Sequence, residues 1–254
     1  MLKLVDCAVT YPSGVAALAT TSLEFLQGQF TVLVGSSGAG KSTLLRTLNG
    51  LVRPSRGDVR VEDYGSIFAS ARVLRRHRLA AAMIFQQHHL IGRLSVLQNV
   101  LLGRLGWHGS FRSLLPLPRC DRLIALQMLD RLGLIERALD RADRLSGGEQ
   151  QRVGIARAMA QAPRILLCDE PVASLDPATA EMVLADLHRI CREDGITAVV
   201  SLHQLEFAQQ FADRIIGLAS GRVVFDGGPR ELKRVAVDKI YGASVQPCQP
   251  QAAA

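Results

Sequence analysis

Lysine is nearly missing from this chain of 254 residues: Lys3, Lys41, Lys233 and Lys239 are all there are, and arginine supplies the rest of the basic count behind a net charge of +7. Aromatics make up only 5%, with a single tryptophan, Trp107. No Arg/Lys block interleaved with aromatics occurs, so the basic balance reads as a solvated arginine-rich surface and no nucleic-acid partner is expected. The five cysteines (Cys7, Cys120, Cys168, Cys191 and Cys248) are scattered and odd in number, with no CxxC pair. That excludes a disulfide frame or a zinc site and points to free thiols in a reducing compartment. No run of about 18 apolar residues exists to span a bilayer. The opening MLKLVDC carries Asp6 and no apolar core of a secretory signal. A membrane, if served, is served from outside the lipid. What is present is ordinary globular composition, 48% hydrophobic and 21% charged, in a chain long enough to bury a real core.

Strand and helix patterns alternate through most of the chain. Leu2, Leu4 and Cys7 to Val9 suggest strands, and SLEFLQGQFTVLVG reads as strand, turn, strand. KSTLLRTLNGL continues as a helix with Leu44, Leu45 and Leu48 on one side, stopped by Gly50 and Pro54. A strand restarts at Gly57 to Val61, and another ends near Gln86. Later, RILLCDE, TAVVSLH and the hairpin RIIGLASGRVVFDG alternate with helical TAEMVLADLHRICRE and LEFAQQFA. Such alternation predicts an α/β core with a mostly parallel sheet. Residues 88–145 differ, with helical patterns and the broken stretch GWHGSFRSLLPLPRC. Leu123, Leu126, Leu129 and Leu132 recur every third position, which predicts one packed apolar stripe on a helix. The tail VQPCQPQAAA has a disordered composition.

GSSGAGKST, Gly35 to Thr43, fits G-x-x-x-x-G-K-[ST] between a predicted strand and a predicted helix. Gly35, Ser36, Ser37, Gly38, Ala39 and Gly40 would aim successive amides inward at phosphates, helped by the helix N-terminus. Lys41 is then a point charge for the β- and γ-phosphates, and Ser42 a hydroxyl for Mg²⁺. ILLCDE supplies a core strand ending in Asp169, suited to the Mg²⁺ shell, and Glu170, suited to activate an attacking water as general base. Gln86 follows AAMIF and is a candidate for Mg²⁺ or the water, with Gln87 adjacent. His203 ends TAVVSLH; in this company it reads as a γ-phosphate sensor rather than a satisfied core polar group. Tyr11 in VTYPSG is a candidate to stack on adenine, with simple turn packing as the alternative.

A second glycine-rich helix start stands at LSGGEQQR. Ser146, Gly147 and Gly148 precede a helical pattern with Val153, Ile155, Ala156 and Met159. A bare helix N-terminus is an anion site, yet Lys41 already provides one. The second therefore points to a nucleotide held by another molecule.

In this order the motifs GSSGAGKST, IFQ, LSGGEQQRV, ILLCDEP, SLD (Ser174 to Asp176) and SLHQ resemble the ATP-binding subunits of ABC transporters over about residues 1 to 235. The resemblance implies a P-loop NTPase core with an N-terminal antiparallel β part and an all-helical insertion, at about 88–160 of a domain spanning 1–240. It implies a head-to-tail homodimer sandwiching two ATPs, each between the Walker A loop of one chain and Ser146, Gly147 and Gly148 of the other. ATP and Mg²⁺ are the implied cofactors. NGLVRPSRG, FQQHHLIGRLSVLQNVLLGRLG and EPVASLDP resemble the subfamily that powers phosphonate import, with Gln29, Ser36 and Cys168 as mild departures that touch no reacting group. That kinship implies the cytoplasmic face of the inner membrane, a membrane permease as partner and, indirectly, a periplasmic solute-binding protein. It also implies that residues 86–108, with Trp107 and the apolar run 94–105, touch the permease. Import of phosphite, phosphate or an amino acid, a soluble ABC ATPase, and a small-molecule P-loop kinase remain the alternatives; the last has no use for LSGGEQQR.

Overall fold

The computed structural model describes residues 1–87, 89–108 and 116–242. Its strands are β1 (Leu2–Thr10), β2 (Ala16–Phe25), β3 (Phe30–Val34), β4 (Arg56–Val61), β5 (Gly65–Ser66), β6 (Ala81–Ile84), β7 (Ile165–Asp169), β8 (Thr197–Ser201), β9 (Arg214–Ala219) and β10 (Arg222–Gly227). Its helices are α1 (Lys41–Leu48), α2 (Ala71–Ala80), α3 (Val96–Leu101), α4 (Arg119–Arg131), α5 (Gly147–Ala160), α6 (Pro177–Glu193), α7 (Leu205–Phe211) and α8 (Arg234–Tyr241).

Two sheets result. One is antiparallel, in the order β2-β1-β4-β5; the other runs β10-β9-β3-β8-β7-β6 and is parallel except for the β9–β10 hairpin. SLEF and FTVLV are strands about a turn, as their pattern suggests, but they do not pair with each other. Gly28, at φ +71, lets the chain leave one sheet and enter the other. Ser220 and Gly221, both at positive φ, close the last hairpin.

The central strands are buried on both faces, so alternation along them feeds two cores. Phe30, Val32 and Val34 of β3 join Leu166, Cys168, Ala198 and Val200 in a cluster with α5 and α6. Leu33, Leu167 and Val199 face the other way, onto Leu44, Leu45 and Leu48 of α1 and the antiparallel sheet's Leu2, Leu4 and Phe25. Helix α1 is thus clamped between sheets, and its first residue is Lys41.

The leucine stripe on α4 is corrected. Leu123 is 60% exposed and Leu126 half-buried, while Asp121, Ala125 and Leu129 form the buried line. A three-residue step advances about 300°, so four leucines at that spacing walk halfway round a 3.6-residue helix instead of sharing a face. Burial follows the four-residue step, and Leu132 joins the core only after the helix has ended. Helix α8 was not apparent from the pattern of RVAVDKIY. It packs its buried Ile240 against Gly217, where a methyl group would lie 2.5 Å from Ile240 Cδ1. Tyr241, at the boundary where tail composition begins, ends that helix. The expected disordered tail spans 241–254; Tyr241 in the helix corrects its start, and residues 243–254 fall outside the described residues.

Leu129→Ala is expected to lower unfolding free energy by about 2–5 kcal/mol. Leu123→Ala is expected to change it by less than about 0.5 kcal/mol. Denaturant unfolding of the two variants checks the corrected face, and equal losses would restore the three-residue stripe.

Candidate active site

The carboxyl ends of β3, β7 and β8 converge with the start of α1. After β3 the chain turns through Gly35 to Gly40 before helix α1 begins. Gly40 sits at φ +103, and a methyl there would lie 2.6 Å from the Ala17 carbonyl oxygen. Only glycine fits this close approach in this conformation.

Lys41 is 4% exposed, and its Nζ donates to the Gly35 and Ser36 carbonyls at 2.8 and 3.2 Å. Glu170 Oε1 lies 3.8 Å away. Burial pushes the ammonium below its ordinary range, while the Glu170 and Asp169 charges pull it back up. The arrangement is a caged cation whose strongest partners are neutral carbonyls, which a polyphosphate is well suited to displace.

Asp169 ends β7 and is 5% exposed. Its Oδ1 accepts from the Ser42 hydroxyl at 2.8 Å and from the Ser201 hydroxyl at 3.1 Å. Glu170 follows in the left-handed region at φ +50, which for a side chain of this size costs roughly 1–3 kcal/mol. Its amide donates to Ser201 Oγ at 2.9 Å, and its Oε1 accepts from His203 Nε2 at 2.6 Å. The carboxylate is therefore held between a histidine and a lysine.

An open cavity of about 660 Å³ covers this group, lined by Lys41, Ser42, Gln86, Glu170 and His203, with Val15 on one side. Ser37, Gly38, Ala39, Gly40 and Thr43 also line it. Gly35 and Ser36 lie behind, contributing the two carbonyls that hold Lys41. Gln86 is exposed on the wall supplied by the chain after β6. Tyr11 stands beside the cavity, its phenol oxygen 3.1 Å from Thr43 Oγ1 and its ring packed on the core over α1. Val15, 58% exposed, lines the cavity itself together with Ala16 and Ala17.

Whether Mg²⁺ suits the site can be tested on the donors. Ser42 and Asp169 already touch through hydroxyl and carboxylate oxygens, and Gln86 lines the same cavity as Ser42. An all-oxygen set with one carboxylate suits Mg²⁺, which keeps several waters and takes further ligands from phosphates. Among the described residues no group of three or more His, Cys, Asp or Glu is placed to hold a metal ion.

Ser146, Gly147 and Gly148 do not line this cavity. Ser146 caps α5 in a reciprocal box: its Oγ accepts from Glu149 N at 3.3 Å and Ser146 N donates to Glu149 Oε2 at 2.9 Å. The Ser146 amide and hydroxyl together hold the Glu149 carboxyl below its usual range. The box leaves the first-turn amides of Gly147 and Gly148 without an intrahelical partner. Gly148 is required by packing, since a methyl there would sit 2.5 Å from Thr179 Cγ2. Asp176 caps α6 through Thr179 N at 3.0 Å, which positions the Ser174–Asp176 turn beside the same helix start.

Ser201 was missed on sequence. The available signal was its position: it ends the strand neighbouring the Asp169 strand, two residues before His203.

The family model described as ABC transporter matches residues 18–173. Over 242 residues the chain is 54% identical to "Phosphonates import ATP-binding protein PhnC 3" of Nostoc sp., covering 95% of this chain and 92% of that one. Over 254 residues it is 57% identical to "Phosphite import ATP-binding protein PxtA" of Stutzerimonas stutzeri, covering 99% and 92%. A solved dimeric ATP-binding cassette in a post-hydrolysis state, bound to ADP and phosphate, superposes with a TM-score of 0.79 at 34% identity, over 91% of this chain and 99% of that chain.

Lys41→Ala is expected to weaken ATP binding by on the order of 10²-fold, the loss of a desolvated charge-assisted contact. Equilibrium titration with a fluorescent ATP analogue checks it, and unchanged affinity would remove Lys41 from the phosphate site.

Proposed function

The chain belongs to the ABC transporter family, and from that premise we propose that it is the ATP-hydrolysing subunit of a bacterial importer whose cargo is a phosphonate. The carrying observation is the convergence of Lys41, Ser42, Glu170 and His203 on one cavity, with Asp169 hydrogen-bonded to Ser42 behind it and a second glycine-rich helix start outside it. The cargo follows from kinship, because an ATPase subunit need not touch the solute. The 57% identity to a phosphite import protein makes phosphite the second reading.

ATP's triphosphate lies on the amides of residues 35–43. Lys41 exchanges its two carbonyl partners for the β- and γ-phosphate oxygens, and Tyr11 and Val15 supply the apolar side at the adenine end. Ser42, Asp169 and Gln86 would hold Mg²⁺, which supplies charge neutralisation on the phosphates. Glu170 accepts a proton from the water attacking the γ-phosphorus, and His203 leaves Glu170 to hold the γ-phosphate. Ser146 and the amides of Gly147 and Gly148 of a second copy close over the same γ-phosphate, so that a head-to-tail homodimer encloses two ATPs. Hydrolysis removes the group that both halves share and reopens the dimer.

Among the described residues no helix is long and apolar enough to cross a membrane. The membrane step therefore belongs to a permease, with the ATPase attached peripherally at the cytoplasmic face and a periplasmic binding protein delivering solute from the other side. A groove of about 460 Å³ between α2 and the 3₁₀ segment Leu102–Trp107 supports the docking site expected in residues 86–108. Leu74, Leu79, Leu102 and Gly106 line it, with Arg78 and His108 at its edge. Trp107, 49% exposed, is anchored by its indole N–H to the Gln161 carbonyl at 3.0 Å.

Glu170→Gln is expected to keep ATP affinity, abolish turnover and trap an ATP-bound dimer on size exclusion. Native-rate hydrolysis would remove Glu170 from its role. Leu102→Glu is expected to abolish copurification with the permease while leaving ATP binding intact, and retained copurification would move the docking site elsewhere. Uptake assays with the permease, comparing phosphonates with phosphite, decide between the two cargoes.

A further inference from the structure

Ser201 closes β8, fully buried and in register with Asp169 of β7. Its Oγ lies 2.9 Å from Glu170 N, 3.1 Å from Asp169 Oδ1 and 3.4 Å from the Cys168 carbonyl. A serine hydroxyl has one proton to give and two lone pairs to offer. The Glu170 amide takes a lone pair, so the proton goes to Asp169, the nearer acceptor. One buried hydroxyl thus ties down two adjacent acids that do different work, one through its carboxylate and one through its backbone.

We propose that Ser201 is a positioning residue for ATP hydrolysis, aiming the Asp169 carboxylate and holding the Glu170 backbone in the turn that presents its carboxylate to water. The inference rests on the ATPase reading above. Asp169 Oδ1 has two hydroxyl partners, Ser201 from within the sheet and Ser42 from the phosphate loop. Ser42 is the partner needed elsewhere once nucleotide and metal are bound, and Ser201 is then the bond that keeps Asp169 oriented. Glu170 occupies a backbone region that a non-glycine residue enters only when its surroundings over-determine it. The contact to its amide from a side chain that cannot move supplies that constraint. Because His203 follows Ser201 by two residues just past the strand end, the proposed γ-phosphate sensor and the tether of both acids leave the sheet together.

Ser201→Ala and Ser201→Thr in the full chain test this. The alanine variant is expected to lose about 10- to 100-fold in kcat with KM for ATP within about 3-fold. Its metal-free ATP affinity is expected to match the parent, and its Tm to fall only by the few degrees that loss of one buried hydroxyl's bonds accounts for. In the Glu170→Gln background, where turnover is blocked, the gain in ATP affinity on adding Mg²⁺ is expected to shrink by about tenfold when Ser201 becomes alanine. Threonine, which keeps the hydroxyl, is expected to restore most of kcat. If its extra methyl prevents folding, Ser201→Cys, near in size and a poor donor, is expected to track alanine. An alanine variant with native kcat and a native Mg²⁺ increment would overturn the proposal. So would parallel losses of kcat, metal-free affinity and Tm, which mark a scaffold residue only. Turnover by the parent chain and its loss in Glu170→Gln test the ATPase reading before Ser201 is changed.

Discussion

A buried ammonium organises this molecule. Lys41 is enclosed at the first turn of a helix clamped between two sheets, with main-chain carbonyls as its nearest partners. An ion taken from water and given mainly neutral partners is incompletely compensated. The shortfall is what a triphosphate makes up. The surrounding architecture keeps that shortfall in place. Alternation along β3, β7 and β8 fills two cores, fixes α1 from both sides, and leaves Lys41 facing the cavity alone.

The same sheet places the acids. Because β7 and β8 are parallel neighbours in register, their ends bring Asp169, Glu170, Ser201 and His203 within a few bonds of one another, although the two segments lie some thirty residues apart in sequence. Glu170 is engaged by His203 and faces Lys41. The groups proposed to attack, sense and neutralise the γ-phosphate thus lie in contact with one another on one cavity.

Much of this was legible in the sequence for a physical reason. Phosphate loops require glycine at defined offsets and a lysine at one, so GSSGAGKST carries its chemistry locally. Strands buried on both faces read as apolar runs ending in acids, as ILLCDE does. What escaped depended on partners distant in the chain. The α4 stripe was misread because a three-residue repeat imitates a face over one turn but drifts over three; only the packing against α5 shows that Ala125 and Leu129 are inside. Ser201 is an ordinary strand serine until β7 lies beside it. Helix α8 has weak local signals and is held by the close fit of Ile240 on Gly217. The role proposed for Ser146, Gly147 and Gly148 depends on another copy of the chain; within one copy they stand as a capped helix start away from the Lys41 cavity.

That last dependence is the centre of the account: each ATP is held by halves from two copies. Mixing two inactive variants tests it most directly. Lys41→Ala destroys the phosphate-loop half, and Gly147→Asp places a negative charge in the other half at an exposed position. In a mixed dimer one of the two sites keeps both halves intact. The account predicts that the mixture regains part of the parent's ATPase rate although neither variant alone hydrolyses ATP. A mixture that forms dimers and stays inactive would contradict it.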